Sequence, residues 1–325
     1  MAHPKPLALL GAFVAALAVP LGAGASNLID RNAQNIKLKV NRNGEALVSY
    51  TAAGRTRNVL AWGALNALHP NPESSVPQIH FKLDYAGGWG KYRKNYWKTF
   101  RSSCRAYDGP ALAWLVAACK APDGSYWALQ SWQTPLPNLG FSPWTPKLSA
   151  WELHLSHWTG PLAQLEVWND WVYSGRFHQL FGRLSYGGQP VYGYGTTNVG
   201  APTDRYGRLI YLDTFNSRYG RGWRRENSFV SHNPTGVWCY GFYTFNPFKG
   251  GYFAPPGYNG GMRGPGNGER YRITVNGPGV TPDVTWIGNG LNDYDRSNPA
   301  DVAFEQEMNG VLDSILNGDK LCRQH

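Results

Sequence analysis

Charge is in short supply in this chain: Asp, Glu, Lys and Arg make up 16% of 325 residues, against 42% hydrophobic residues. That balance excludes a disordered polyelectrolyte, because enough apolar surface is present to build a core. After residue 25 no stretch of 18 apolar residues occurs, so no bilayer-spanning helix is written there. Cysteine is limited to four residues and none lies in a CxxC, which removes the signature of a zinc ribbon or dithiol redox centre. A Walker loop, a dinucleotide fingerprint and a GxSxG elbow are missing, and no fixed-period repeat supports a propeller or solenoid. Neither a cofactor nor a metal is implied.

What the chain has in quantity is aromatic surface, with 14 Trp, 19 Tyr and 13 Phe. Ten of the tryptophans fall between Trp89 and Trp171. Strand alternation assigns several of them, such as Trp114 and Trp151, to apolar faces. Most of the tryptophan is then core, and Trp89, Trp97, Trp158 and Trp168 remain as indoles whose faces could meet a ligand.

Residues 1–25 read as a secretory signal. Lys5 precedes an apolar run over 7–19, and Ala23-Gly24-Ala25 supplies the small residues a signal peptidase needs. Export predicts oxidised cysteines. Cys104, Cys119, Cys239 and Cys322 allow three connectivities, and proximity favours Cys104 with Cys119 and Cys239 with Cys322. The first pair would close a short loop worth about 3 kcal/mol in the chain-entropy view; the second would staple the C-terminus to the body.

Short strand signals dominate. Ile36, Leu38 and Val40 alternate with Lys37 and Lys39, and Asn43-Gly44 predicts a hairpin turn before Ala46, Val48 and Tyr50. Similar runs near 78–85, 111–119, 126–132, 151–157, 162–168, 178–186, 237–243, 271–275 and 284–287 are separated by Gly/Pro turns. The expected fold is therefore mainly β, an antiparallel sandwich or jelly-roll-like body. One amphipathic helix is expected at about 299–316, capped by Asn298, with Phe304, Met308, Val311, Leu312 and Ile315 on its packing stripe. Residues 247–268 hold eight Gly and four Pro and read as a long loop. No linker divides residues 26–325, which fit one large β domain, with two packed β subdomains as the alternative.

Two segments carry chemistry. Along 151–171, alternation puts Glu152, His154, Ser156 and Trp158 on one strand face and Gln164, Glu166, Trp168 and Asp170 on a face of the next. If Thr159-Gly160-Pro161 joins them as a hairpin, His154 stands opposite Glu166 and Glu152 opposite Trp168. In residue type this face resembles the glycan-facing surface of β-sandwich carbohydrate proteins: an indole covers the C–H face of a pyranose while carboxylates and amides bind its hydroxyls. Glu152, Glu166 and Asp170 are also candidate acid, base or nucleophile for glycoside hydrolysis. His154 and His157 fall on opposite faces, so they make no zinc pair.

The second segment, 85–105, interleaves Trp89, Tyr92, Tyr96, Trp97 and Phe100 with Lys91, Arg93, Lys94, Lys98 and Arg101. Stacking faces beside cations suit an anionic chain. The chain's net charge of +10 points the same way. Export sets nucleic acid aside and favours a polysaccharide or anionic cell-wall polymer. Just upstream, Gln78-Ile79-His80 resembles a tripeptide of a β-sandwich family of alginate lyases, which implies His80 as a proton-abstracting base working with a tyrosine. That family's Arg-rich strand motif and Tyr-Lys-Ala-Gly segment are not present here.

The expected protein is thus secreted or associated with the cell envelope, and binds carbohydrate or an envelope polymer through exposed Trp and Tyr with charged neighbours. Its candidate ligand-binding residues are Trp168, His154, Trp158, Trp89, Trp97, Arg93 and Lys94. The alternatives are an extracellular glycoside hydrolase or polysaccharide lyase, using Glu152, Glu166, Asp170 or His80, and a structural envelope protein without a catalytic site.

Overall fold

The computed structural model describes residues 26–69, 78–135, 149–172, 177–191, 195–196, 202–203, 210–217, 220–225, 229–232, 237–241, 244–246, 251–253 and 268–316. The expected signal segment, most of the 247–268 loop and Cys322 lie outside these residues.

The fold is mainly β, as expected. Eight strands come first: β1 (Asn27–Arg31), β2 (Gln34–Val40), β3 (Ala46–Ala52), β4 (Arg55–Trp62), β5 (Lys82–Asp84), β6 (Leu115–Lys120), β7 (Tyr126–Pro135) and β8 (Ser149–Trp158). They form two antiparallel sheets, ordered β2-β3-β4-β5 and β1-β8-β7-β6. A short helix, α1 (Trp89–Tyr92), and a 3-10 turn, Tyr96–Lys98, lie between β5 and β6. The β2–β3 hairpin is present, with Val40 opposite Ala46. Its connection is five residues rather than a two-residue turn, and of Asn43 and Gly44 only the glycine has positive φ, at 70°. The Asn41 side chain stabilises this wider turn by accepting hydrogen bonds from the backbone N–H of Asn43 (2.9 Å) and Glu45 (3.0 Å).

The second half contains β9 (Gln164–Val172), β10 (Phe177–Tyr186), β11 (Gln189–Val191), β12 (Gly195–Thr196), β13 (Pro202–Thr203), β14 (Ile210–Ser217), β15 (Gly220–Arg225), β16 (Phe229–His232), β17 (Val237–Gly241), β18 (Thr244–Asn246), β19 (Gly251–Phe253), β20 (Arg270–Val275) and β21 (Val284–Asn289). Strand β10 is central to one sheet, pairing with β9, β17 and β11. The other large sheet is ordered β15-β14-β20-β21, and β12-β13 and β18-β19 are small pairs.

Two apolar cores follow from this layout. In the first, Val48, Tyr50 and Val59 of one sheet share a cluster with Trp127, Leu129, Leu153 and Leu155 of the other. In the second, Leu180 and Leu184 of β10 meet Leu212 of β14 and Ile273 of β20. The remaining face of β10 and β17 is closed by α2 (Pro299–Leu316), whose Met308 and Leu312 pack on Phe181, Val237 and Cys239. Asn298 caps this helix as expected, its side chain accepting from the Ala300 N–H at 3.1 Å. Cys104 and Cys119 are disulfide-bonded. Cys239 is disulfide-bonded as well, and its expected partner Cys322 lies outside the described residues.

The connection from β20 to β21 is unusual for a loop, because residues 276–283 are all buried. It inserts into the first half. Val280 joins the first core, its carbonyl accepts from His157 N–H at 2.7 Å, and its own N–H donates to Asn66 O at 3.1 Å.

Candidate functional site

The expected face carrying Glu152, His154, Glu166, Trp168 and Asp170 together does not form. β8 pairs with β7 and β1, not with β9, while β9 pairs with β10. The Thr159-Gly160-Pro161 stretch therefore carries the chain from one sheet to another instead of folding it back. His154 stands opposite Gln130 and Leu28; Glu166 stands opposite Arg183 and is bridged to it, with one contact at 3.1 Å. Asp170 is buried on β9 opposite Gln179. Trp168 stacks on Phe181 under α2, with ring centroids 5.6 Å apart. Trp158 is fully buried against Tyr107 and Tyr126. Trp151, expected in the core, is 50% exposed, because it lies one alternation beyond Leu153, outside the apolar cluster.

Glu152 and His154 instead belong to a buried polar seam between the two cores. Arg31 donates to Glu152 Oε1 from Nε (3.1 Å) and Nη2 (2.9 Å). Tyr211 of β14 donates to Oε2 at 3.3 Å, and His154 Nε2 lies 3.3 Å from the same oxygen. Burial opposes ionisation of Glu152, but His154 and Arg31 outweigh it and hold the carboxyl at about 2. On the other side of the imidazole, Nδ1 lies 2.9 Å from Ser26 Oγ and 3.4 Å from Asp283 Oδ2. Ser26 Oγ also donates to Asp283 Oδ1. Every one of these groups except Arg31 is buried, so no substrate reaches Glu152.

The aromatic and cationic segment is the opposite case. Tyr85 is 53% exposed, Trp89 49% and Trp97 37%. The segment is held from below by Glu45, a buried residue just before β3. Its carboxylate accepts from Lys91 Nζ (2.5 Å), from Asn41 Nδ2 (2.6 Å) and from the Tyr92 hydroxyl. Burial pushes the Glu45 carboxyl up, yet these donors more than offset it and leave it below its ordinary value. Lys91 also lies over the Trp62 ring at 4.5 Å. Asp84 fixes the entry to α1, accepting from the N–H of Ala86 (2.8 Å) and Gly90 (2.7 Å). Gly87, with φ of 64°, sits against the Trp97 indole; a Cβ there would fall 2.6 Å from the ring. No other residue allows that turn and that indole position together.

Beside this platform the Asn41–Gly44 turn and residues 96–103 enclose a cavity of about 440 Å³. Arg42, Tyr96 and Arg101 line it with Asn41, Asn43 and Ser102. Both arginines are exposed, and neither joins an ion pair among the described residues. The same is true of Arg93, Lys94 and Lys98 on the segment itself. Lys94 and Lys98 lie over the rings of Tyr96 and Trp97, at 5.8 and 5.5 Å. Sequence reasoning found Trp89, Trp97, Arg93 and Lys94 here but missed Arg42 and the anchor Glu45; the turn signal at Asn43-Gly44 was the available clue to a side chain presented at a loop tip.

His80 is exposed just before β5, and among the described residues no hydrogen bond or ring contact joins it to a tyrosine. A second cavity, of about 590 Å³, is lined by His178, Asn216, Glu269, Asn292 and Asp293. Among the described residues its lining has two carboxylates and no Lys or Arg, which does not favour an anion. Charge is divided the same way along the chain: residues 26–158 hold 15 Lys and Arg against 7 Asp and Glu, whereas residues 159–325 hold 15 against 14. Compared with known protein families, curated proteins and solved structures, the chain matches none of them.

Proposed function

We propose that this protein is exported and binds an anionic polysaccharide, or another anionic polymer of the cell envelope, through residues 85–101 and the Asn41–Gly44 turn. The observation that carries this reading is the cavity between Arg42 and Arg101, two guanidinium groups without carboxylate partners among the described residues, beside the exposed indoles of Trp89 and Trp97. A guanidinium offers paired donors to a carboxylate, sulfate or phosphate. An indole face covers the apolar side of a sugar ring, so the two together fit a charged glycan better than either a neutral sugar or a small ion. Burial of Glu45 beneath the segment supports the reading further, since it fixes the platform without placing a negative charge at the surface.

Calorimetric titration of the purified protein with a soluble polyuronate tests it. Affinity should fall as ionic strength rises, and Trp97→Ala should weaken binding by about 1 to 3 kcal/mol, taking base stacking as the analogue. Arg42→Glu combined with Arg101→Glu should abolish measurable binding. An affinity indifferent to all three changes would overturn the assignment. Appearance of unsaturated uronate absorbance during the titration would instead move the site to the lyase alternative.

A further inference from the structure

We infer that removal of residues 1–25 turns Ser26 into a buried terminal-ammonium site, in which the freed α-amino group is held by the Gly279 carbonyl and the Asp283 carboxylate and locks the seam between the two cores. The inference rests on the export reading, because hydrolysis of the Ala25–Ser26 bond is what creates the group: water adds across the amide, leaving a carboxylate on Ala25 and an ammonium on Ser26.

Ser26 is fully buried. Its backbone nitrogen already donates to Gly279 O at 3.0 Å, and its hydroxyl is bonded to Asp283 Oδ1. An amide nitrogen has one proton to give, whereas an ammonium has three. Asp283 has an oxygen to receive one: Oδ1 takes Ser26 and the Gly277 N–H (2.9 Å), while the buried Oδ2 accepts no hydrogen bond among the described residues and faces His154 Nδ1 at 3.4 Å. The charges around the site are unbalanced in the same sense. Among the described residues, Asp283 and Glu152 face one permanent cation, Arg31, which is committed to Glu152, and the other titratable neighbours are His154 and Tyr211. A terminal ammonium supplies the missing positive charge. Ser26 also has φ of 37°, in the left-handed region that a non-glycine residue rarely adopts. In a chain that begins at Ser26 no preceding carbonyl exists, and that steric cost disappears.

The pH dependence has a definite sign. In the uncleaved chain burial pushes Asp283 up to about 6, so the folded state holds a proton that the unfolded state releases, and stability falls between about pH 4 and 6. With the ammonium present that loss is removed. The ammonium is the form that Asp283 holds, so its contribution is lost as pH climbs through the pKa of the amine.

The test compares the chain 26–325, which contains every described residue, with the same chain carrying Ala25 in front, each with and without Asp283→Asn. At pH 7 the free-amine chain should melt about 5 °C or more above the extended one, and Asp283→Asn should erase the difference. Equal melting temperatures, or a gap that survives Asp283→Asn, would overturn the inference. Should the Asn variant not fold, periodate decides with the unsubstituted protein, since it cleaves an accessible N-terminal serine: resistance when folded and reaction when unfolded is expected, and rapid oxidation of the folded protein contradicts the site. N-terminal mass analysis of the exported protein separates the two readings, because a start other than Ser26 removes this site in the mature protein while leaving polymer binding untouched.

Discussion

Glu45 and Glu152 are equally buried, each with a side chain 3% exposed, yet the regions around them differ. Glu45 lies under a surface. Its partner Lys91 is 30% exposed, and the segment it ties down presents to solvent indoles and cations that join no ion pair among the described residues. Glu152 lies within a seam, where Arg31, His154 and Tyr211 use its oxygens and nothing on it is offered outward. A carboxylate flanked by Trp and His in sequence can therefore be interior wiring, while the residue that organises an exposed site can be one that never reaches it.

The contrast can be broken most forcefully at the seam. Glu152→Ala leaves the buried His154 and Tyr211 groups facing a gap, while Arg31, 51% exposed, can turn to water. The substitution should cost about 3 kcal/mol in urea unfolding; polymer affinity of the folded fraction should not change. A loss of affinity with unchanged stability would reverse the roles assigned to the two glutamates. Glu45→Ala should cost less, about 2 kcal/mol, because of its three partners Asn41, Tyr92 and Lys91 only Asn41 is buried, and it should weaken polymer binding together with stability.

Strand-local features were legible in the sequence. The β2–β3 hairpin, the C-terminal helix with its Asn298 cap and the Cys104–Cys119 pair all depend on residues close along the chain. The candidate site was legible in half: Trp89, Trp97, Arg93 and Lys94 were found because aromatic and basic residues alternate within a few positions. Arg42 and Glu45 reach the same place from a hairpin about fifty residues upstream, and nothing local announces that. The larger error lay at Thr159-Gly160-Pro161. Such residues permit a hairpin, but whether β8 pairs with β9 or with β1 is decided by packing of Leu153 and Leu155 in the first core and of Val167 in the second.

Acid should distinguish the regions as well. Burial pushes His157 from 6.5 down to about 4, so the unfolded chain gains a proton that the folded one refuses; the stability His157 contributes is full above pH 6.5 and declines as pH falls towards 4. Glu152 loses its contribution lower still, between 4.5 and about 2. His157→Gln should flatten the first decline in melting temperature against pH, without altering the second. The smallest effect belongs to Glu166→Ala. Its pair with Arg183 is solvent-exposed, at 43% and 44%, so stability should move by no more than about 0.5 kcal/mol and polymer affinity not at all; a large fall in affinity would return the second sheet to consideration.

The buried connection at 276–283 has a bearing on the order in which this chain can mature. Val280 fills a place among Val48, Tyr50 and Trp127, so the first core lacks a wall until a segment more than a hundred residues beyond β8 has been made. The early strands can pair, but they cannot finish folding on their own. Contacts of such long range close slowly, and once closed they couple the halves: withdrawing 276–283 opens the first core and unzips β20 from β21 in one step. Melting of the molecule should then be a single cooperative event, with no stage at which one core survives the other.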